Sequence, residues 1–255
     1  MKVRRGGVDI QQAILRAAKK EFAERGFSGG RMSRIARDAG VNKALIHYYF
    51  SDKNSLYLEV LRSIYRGRVE HPESPDCFGG WQLTPSQKLH AIIYFMVNMF
   101  LNAADPEAMR IIFWELAEGG KNLEALMMEY IIPRQKILHN VLAEGIESGE
   151  FNPAHPRLSV MSIFSFISFY LINREIYRGT SVFRELYGEV SEKEVLAFVL
   201  DTVFRTLIPA GGQIQVPALP DELVRMLDNI LALLIEKKDE IINDELLRRI
   251  EQIMR

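Results

Sequence analysis

In the stretch KALIHYYF (43–50), Lys43, Ala44, His47 and Tyr48 recur at helical spacing, and Lys53 follows. Successive helical residues turn by about 100°. On that wheel Ile46 and Phe50 fall about 40° apart and, with Val41, form an inward stripe with Tyr49 at its border. Ala44, His47 and Tyr48 fall on the outer side, with Lys43 at its margin. An ammonium, an imidazole and a phenol can all donate to phosphate oxygens or meet base edges, and a small alanine lets a helix lie close in a groove. The chemistry this pattern suits is recognition of duplex DNA, with Lys53 meeting phosphate at the start of the next helix.

Other chemistries find little support in the residues. There is no glycine-rich phosphate loop, no G-x-S-x-G and no Cys or His cluster at metal spacing. The five histidines, 47, 71, 90, 139 and 155, are scattered, and the carboxylates alternate with Lys and Arg on helix faces. The expectation is a protein that is not an enzyme, with no metal and no cofactor. The single cysteine, Cys77, fits a reducing compartment. Met1 to Gly7 lacks the apolar core of a signal peptide. The longest uncharged apolar run, Leu158 to Asn173, is 16 residues with four serines, short of the ~20 a span needs. A cytoplasmic protein without membrane association is expected.

Charge is divided along the chain. Residues 1–53 hold 12 Lys and Arg against 5 Asp and Glu, a balance of +7, and the remainder carries −8. A basic head on an acidic body points to a polyanion-binding end.

The elements that must position the outer face of 43–50 are helical, since nearly every segment has the 3.6-residue period and none alternates as a strand. A basic arm, Lys2, Arg4 and Arg5, precedes a first helix that starts near Asp9, with Gln12 placed for a capping box and Gly26 as its stop. Helices follow at about 33–39 and 43–50, joined by the tight turn Ala39-Gly40-Val41-Asn42 with Asn42 as cap. That is a helix-turn-helix whose second helix reads DNA. Further helices are expected after Ser51, at 85–103, 106–118 and 122–148 (kinked or split by Pro133), at 156–178 and 191–208, and beyond a 209–220 linker. Residues 71–84 and the segment between 178 and 191 read as loops. The fold class is all-α.

The segment from Ile14 to Leu56 resembles the DNA-binding domain of the tetracycline-repressor (TetR) family. The matching residues are I-L-x-A-A-x-x-x-F-x-x-x-G-F (14–27), I-A-x-x-A-G-V (35–41), K-A-L-I-H-Y-Y-F (43–50) and K-x-x-L (53–56). The resemblance implies an N-terminal three-helix helix-turn-helix domain (1–52) and a helical effector-binding and dimerisation body (53–210). A C-terminal helical extension (211–255) lies beyond it. It implies DNA contacts from Arg31, Ser33, Asn42, Lys43, Ala44, His47, Tyr48, Tyr49 and Lys53. Where the family usually places a threonine or serine at the second helix, this chain has Arg31-Met32. Either Ser33 takes over the phosphate contact or Arg31 makes it by charge. His47 stands where the family usually has tyrosine.

For the body, the resemblance implies a small hydrophobic effector and a homodimer. Polar and aromatic residues that could line an effector site are His90, Tyr94, Asn98, Phe113, Trp114, Tyr130, Phe169 and Asn173. Helix 156–178 is apolar almost all round, so it is either a central core helix or packed between its own subunit and a twin. Ser162, Phe166, Ile167 and Tyr170 there, with Val195, Val199 and Val203 on helix 191–208, form the expected dimer seam. The function expected is a ligand-responsive homodimeric regulator, in the first place a repressor released from a pseudo-palindromic operator. A DNA-binding protein of the same fold that answers to a protein partner is the alternative. A helical interaction module that never touches DNA would leave the basic head unexplained.

Overall fold

A computed structural model describes residues 3–66, 81–102, 105–188, 190–207, 215–236, 249–250 and 253. Among them every regular element is helical: α1 (Val3–Gly29), α2 (Met32–Asp38), α3 (Lys43–Phe50), α4 (Lys53–Arg66), α5 (Pro85–Asn102) and α6 (Pro106–Ala117), then α7 (Leu123–Leu126), α8 (Ile132–Glu147), α9 (Pro156–Tyr177), α10 (Ser181–Tyr187), α11 (Glu192–Leu207) and α12 (Asp221–Glu236). No helix among the described residues is long and apolar enough to cross a membrane. Cys77 and most of the expected 71–84 loop lie outside the described residues, as do Lys2 and the first part of the 209–220 linker.

The chain divides into two compact units. The first contains α1 to α4, α6, α7 and the π-helical turn Met127–Ile131; the second contains α5 and α8 to α12. This differs from a division at 52/53 and 210/211. α4 packs against α1 and α3, and α6 lies along α1, so the head extends past residue 52. The α12 helix packs on α5 and belongs with the body.

In the first unit Ile14 and Phe22 of α1, Ile35 of α2, Ile46 of α3, Tyr57 of α4 and Ile111 of α6 are fully buried together. Helix α1 begins at Val3, earlier than Asp9, so the backbone of Arg4 and Arg5 is helical rather than an extended arm. It breaks at Gly26, whose φ of 64° is a left-handed conformation that glycine adopts without a Cβ penalty. The Trp114 ring of α6 would lie 3.1 Å from a Cβ at this position, so the glycine also permits close approach.

In the second unit, Leu89, Ile93 and Val97 of α5 pack with Leu138 and Leu142 of α8, Ile163 and Ile167 of α9, and Val199, Val203 and Phe204 of α11. Four residues expected on a dimer seam, Ile167, Val195, Val199 and Val203, are therefore buried in this chain's own core. The valine stripe of α11 lies in a core shared with α5 and α9, whose side chains already cover it. Exposed apolar surface falls instead on Phe166, also expected on the seam, and on Met161 and Phe169 of α9, Leu186 of α10 and Phe198 of α11.

Pro133 follows the π-helical turn at the start of α8. A proline has no N–H for the carbonyl four residues back, and its ring crowds that carbonyl, so a local widening of the helix takes up the mismatch. The segment between α9 and α11, expected as a loop, carries α10. Thr180 caps it, its hydroxyl accepting from the Phe183 N–H at 3.2 Å, and Gly188 ends it at φ 55°.

Candidate nucleic-acid interface

Helix α3 is fixed at both ends. Asn42 caps it, Oδ1 accepting the Leu45 N–H at 2.8 Å, so that oxygen is spent internally. The preceding turn uses Gly40 at φ 68°, and the Val41 N–H closes it on the Ala36 carbonyl at 2.9 Å. At the far end Ser51 holds φ 50°, a left-handed conformation uncommon outside glycine. Its N–H donates to the His47 carbonyl at 3.0 Å.

Between these ends the aromatic run divides. Ile46 and Phe50 are buried, Tyr49 is half-buried against the same core, and Tyr48 is 80% exposed. The Tyr49 ring stands edge-on to Tyr48 at 5.2 Å, a support that leaves the Tyr48 hydroxyl outward. Lys43, Ala44 and His47 are exposed with it. The His47 Nδ1 lies 2.6 Å from the Ser51 carbonyl. A carbonyl can only accept, so Nδ1 carries the proton and donates. The outward Nε2 is then left for an external partner, as acceptor in the neutral ring and donor when charged.

Lys53 opens α4. Its Nζ lies 3.4 Å from the Ser28 carbonyl and 4.6 Å from the centroid of the Phe27 ring. Partial burial pushes its pKa below the ordinary lysine value, with Glu118 and Glu21 opposing. The ammonium is thus tied to the last turn of α1, with further N–H directions remaining for a phosphate.

The start of α2 shows what the pattern alone missed. Arg31 is the N-cap residue, but its side chain makes no cap; its backbone N–H donates to Glu21 Oε1 at 2.9 Å. Glu21 belongs to α1 and is 4% exposed. The same oxygen accepts from Arg34 Nε at 2.7 Å and forms an ion pair with Arg34 Nη2 at 2.5 Å, while that Nη2 donates to the Gly29 carbonyl at 2.7 Å. Burial alone would raise the Glu21 pKa; hydrogen bonds from Arg34 and the Arg31 amide hold it below the usual carboxylate range. Helix α2 is therefore capped by an acid ten residues upstream. The signal was present: with no Ser, Thr, Asp or Asn at 31, the N–H groups at the helix start still needed an acceptor. Arg31 and Ser33 side chains are both exposed.

The eight candidate effector residues are split between the units. In the first, Trp114 donates its indole N–H to the Ala23 carbonyl at 3.3 Å and Tyr130 is buried, stacked on Tyr65, with Phe113 partly exposed. In the second, His90 bonds through Nδ1 to the Pro217 carbonyl (2.7 Å), Tyr94 donates to Asp228 (2.7 Å), and Asn98 donates to the Tyr94 carbonyl of its own helix. Burial pushes the His90 pKa down. Phe169 is 73% exposed, and Asn173 donates to its carbonyl.

Comparison with known proteins agrees with the geometry of the head. The model described as bacterial regulatory proteins, tetR family, matches residues 14–60, and the model described as tetracyclin repressor-like, C-terminal domain, matches residues 85–203. The HTH-type transcriptional repressor NicS of Pseudomonas putida is 28% identical over 221 residues, which is 81% of this chain and 99% of NicS. The crystal structure of HlyIIR, a hemolysin II transcriptional regulator, superposes with a TM-score of 0.54 at 25% identity, covering 77% of this chain and 97% of that one. FadR of Bacillus subtilis, solved in complex with stearoyl-CoA, shares the fold with a TM-score of 0.55 at 23% identity, covering 75% and 96%.

Proposed function

The chain belongs to the tetracycline-repressor family of transcriptional regulators, and on that premise we propose that it is a ligand-responsive homodimeric repressor of a pseudo-palindromic operator. The observation that carries the reading is the outer face of α3: Lys43, Ala44, His47 and Tyr48 are exposed on a helix whose other side is locked into the core. A second helix-turn-helix, related by a two-fold axis, would place its reader one turn away along DNA, about 34 Å. Phosphate contacts fall to Arg31 and Lys53 in this reading, and base-edge contacts to His47 and Tyr48. Asn42 and Tyr49 shape the face, the first as cap and the second as support for Tyr48.

For the dimer, the support is an apolar surface that nothing among the described residues covers. Met161, Phe166 and Phe169 of α9, Leu186 of α10 and Phe198 of α11 are all exposed. Phe166 stacks on Tyr170 at 6.0 Å and leans on Phe198 of α11 at 5.5 Å, and Tyr170 meets Tyr187 of α10 edge-on at 5.4 Å, so the three helices share one aromatic surface. A twin copy of that surface is the occupant that fits, since a stable homodimer buries on the order of 2,000 Å² or more of mainly apolar area. Within the expected seam, Ser162, Phe166 and Tyr170 remain on this face.

A small hydrophobic effector is proposed from the family and from FadR, whose structure holds stearoyl-CoA. We place the protein in the cytoplasm, where its DNA is. Sequencing of genomic fragments retained by the purified protein tests the reading. Enrichment of pseudo-palindromic sites, lost in a Lys43→Ala, Tyr48→Ala variant, is expected; no enrichment over bulk DNA overturns it. Thermal shifts across long-chain acyl compounds then separate a small-molecule effector from control by a protein partner.

A further inference from the structure

We propose that Glu21 is a positioning residue for DNA binding: it closes the start of α2 from inside the protein and thereby presents the Arg31 guanidinium, not the helix end, to the phosphate backbone. The inference rests on the DNA-binding reading above and assigns the basic residues of the head to different tasks.

Three observations carry it. First, the Arg31 N–H is occupied by Glu21 Oε1 at 2.9 Å, so it is not available to an external anion. Second, Glu21 is 4% exposed and faces Arg34 at 2.5–2.7 Å, so its negative charge is compensated and shielded from a nearby phosphate. Third, Arg34 is committed to Glu21 and to the Gly29 carbonyl, whereas Arg31 is exposed and its guanidinium has no ion pair or side-chain hydrogen bond among the described residues. Of two arginines three residues apart, one holds the turn and the other is left outward.

The location fits. Arg31 follows Ser28 by three residues, and the Ser28 carbonyl is reached by Lys53 at the start of α4. The Gly29-Gly30 connection between them is tightly seated: a Cβ at Gly30 would stand 2.7 Å from the Phe22 ring. With the backbone of 28–31 fixed on one side by Lys53 and on the other by Glu21, Arg31 extends from a rigid base. A long flexible side chain from such a base loses less freedom on meeting a phosphate than one from a mobile loop.

Phosphate contacts are independent of sequence, so the test needs no operator. Full-length protein is titrated with a duplex of arbitrary sequence, about 30 base pairs or three turns, over a range of salt concentrations. Arg31→Ala is expected to weaken binding several-fold and lower the salt slope by about 1. Glu21→Ala is expected to do the same in the wild-type background and to add almost nothing in the Arg31→Ala background, because it acts through Arg31. Its loss of thermal stability without DNA should be equal in the two backgrounds. Glu21→Gln, which keeps an acceptor for the Arg31 N–H, is expected to recover the wild-type slope.

Equal losses of affinity from Glu21→Ala in both backgrounds, or no loss in either, overturn the proposal. Should Glu21→Ala fail to fold, Glu21→Asp takes its place. It keeps the charge but is one methylene too short to hold the Arg31 N–H, and a wild-type slope in that variant overturns the proposal equally. Failure of the wild-type protein to bind the duplex would instead remove the DNA-binding reading itself.

Discussion

The Tyr57 hydroxyl of α4 donates to the Glu115 carboxylate of α6 across 2.9 Å, in the interior of the first unit. Both side chains are buried, Glu115 to 2% exposure. The other Glu115 oxygen accepts the Asn122 N–H at 2.7 Å, and the Asn122 side-chain amide lies 3.3 Å from the first. Among the described residues no ion pair reaches this carboxylate, so neutral donors satisfy it. Burial, then the acceptor itself, pushes the Tyr57 pKa far above that of a free phenol, and it stays a donor throughout the working range.

A buried carboxylate that loses a donor keeps its desolvation cost. Tyr57→Phe should therefore destabilise the protein by about 1–3 kcal/mol although it removes a single oxygen. Denaturant midpoints of wild type and variant measure this. Equal midpoints would mean that the hydrogen bond contributes nothing net.

Glu21 gives the acid side of the stability profile a defined sign. Its folded-state pKa lies below the ordinary value of 4.5. Such a group adds stability above its unfolded pKa and loses it as pH falls through the folded one. Wild type should lose more stability than Glu21→Gln between pH ~5 and the foot of the carboxylate range, while Glu21→Gln is already weaker at pH 7. Urea midpoints at pH 7 and at about pH 4 check it. Parallel losses in both proteins would assign acid sensitivity to other groups.

The placement of Val199 and Phe169 predicts opposite outcomes for two charges. Val199 is in the protomer core, so Val199→Asp buries an unpaired carboxylate and should unfold the second unit. Phe169 is exposed on α9, so Phe169→Asp should leave the protomer folded and yield a monomer. Circular dichroism and sedimentation at micromolar concentration distinguish the two. A folded dimer in Phe169→Asp would place the seam elsewhere on the surface.

What was legible in the sequence, and what was not, follows from the range of the interactions. The division of the aromatic run at 48–50 was legible because one helical turn decides it: Phe50 inward, Tyr48 outward. The phase of α11 was not. A stripe of valines at helical spacing looks the same whether its cover is α5 of the same chain or a twin subunit. Helix α9 gave no help, because it is apolar almost all round and has no polar face to fix its rotation. The α2 cap was hidden for another reason. Capping rules look at the residue beside the helix, whereas Glu21 reaches it from ten positions upstream through the fold. Helix α10 had a local signal in Thr180 and Gly188, but its seven residues are too few for periodicity to show.

The segment 217–236, which leads into and includes α12, supplies a last test, because its contacts with α5 are of two kinds. Gln87, His90 and Tyr94, on one face of α5, donate to the Ala218 carbonyl (3.1 Å), the Pro217 carbonyl (2.7 Å) and Asp228 Oδ1 (2.7 Å). Burial, with Asp228 as acceptor, pushes the Tyr94 pKa up to about 12. Asp228 is exposed, however, and water can replace such a partner, so Tyr94→Phe should cost no more than ~1 kcal/mol. Leu223 is fully buried in the body core, and Leu223→Ala should cost about 2–5 kcal/mol by lost transfer and a cavity. Thermal unfolding of the two variants ranks the contacts. Were Leu223→Ala nearly neutral and Tyr94→Phe the costlier, α12 would be a polar lid held at its rim, detachable without harm to the body. The expected order makes it part of the body's core instead: removing residues from 215 onward should expose that core, bind a hydrophobic dye and lower the unfolding temperature before any effect on DNA binding is seen.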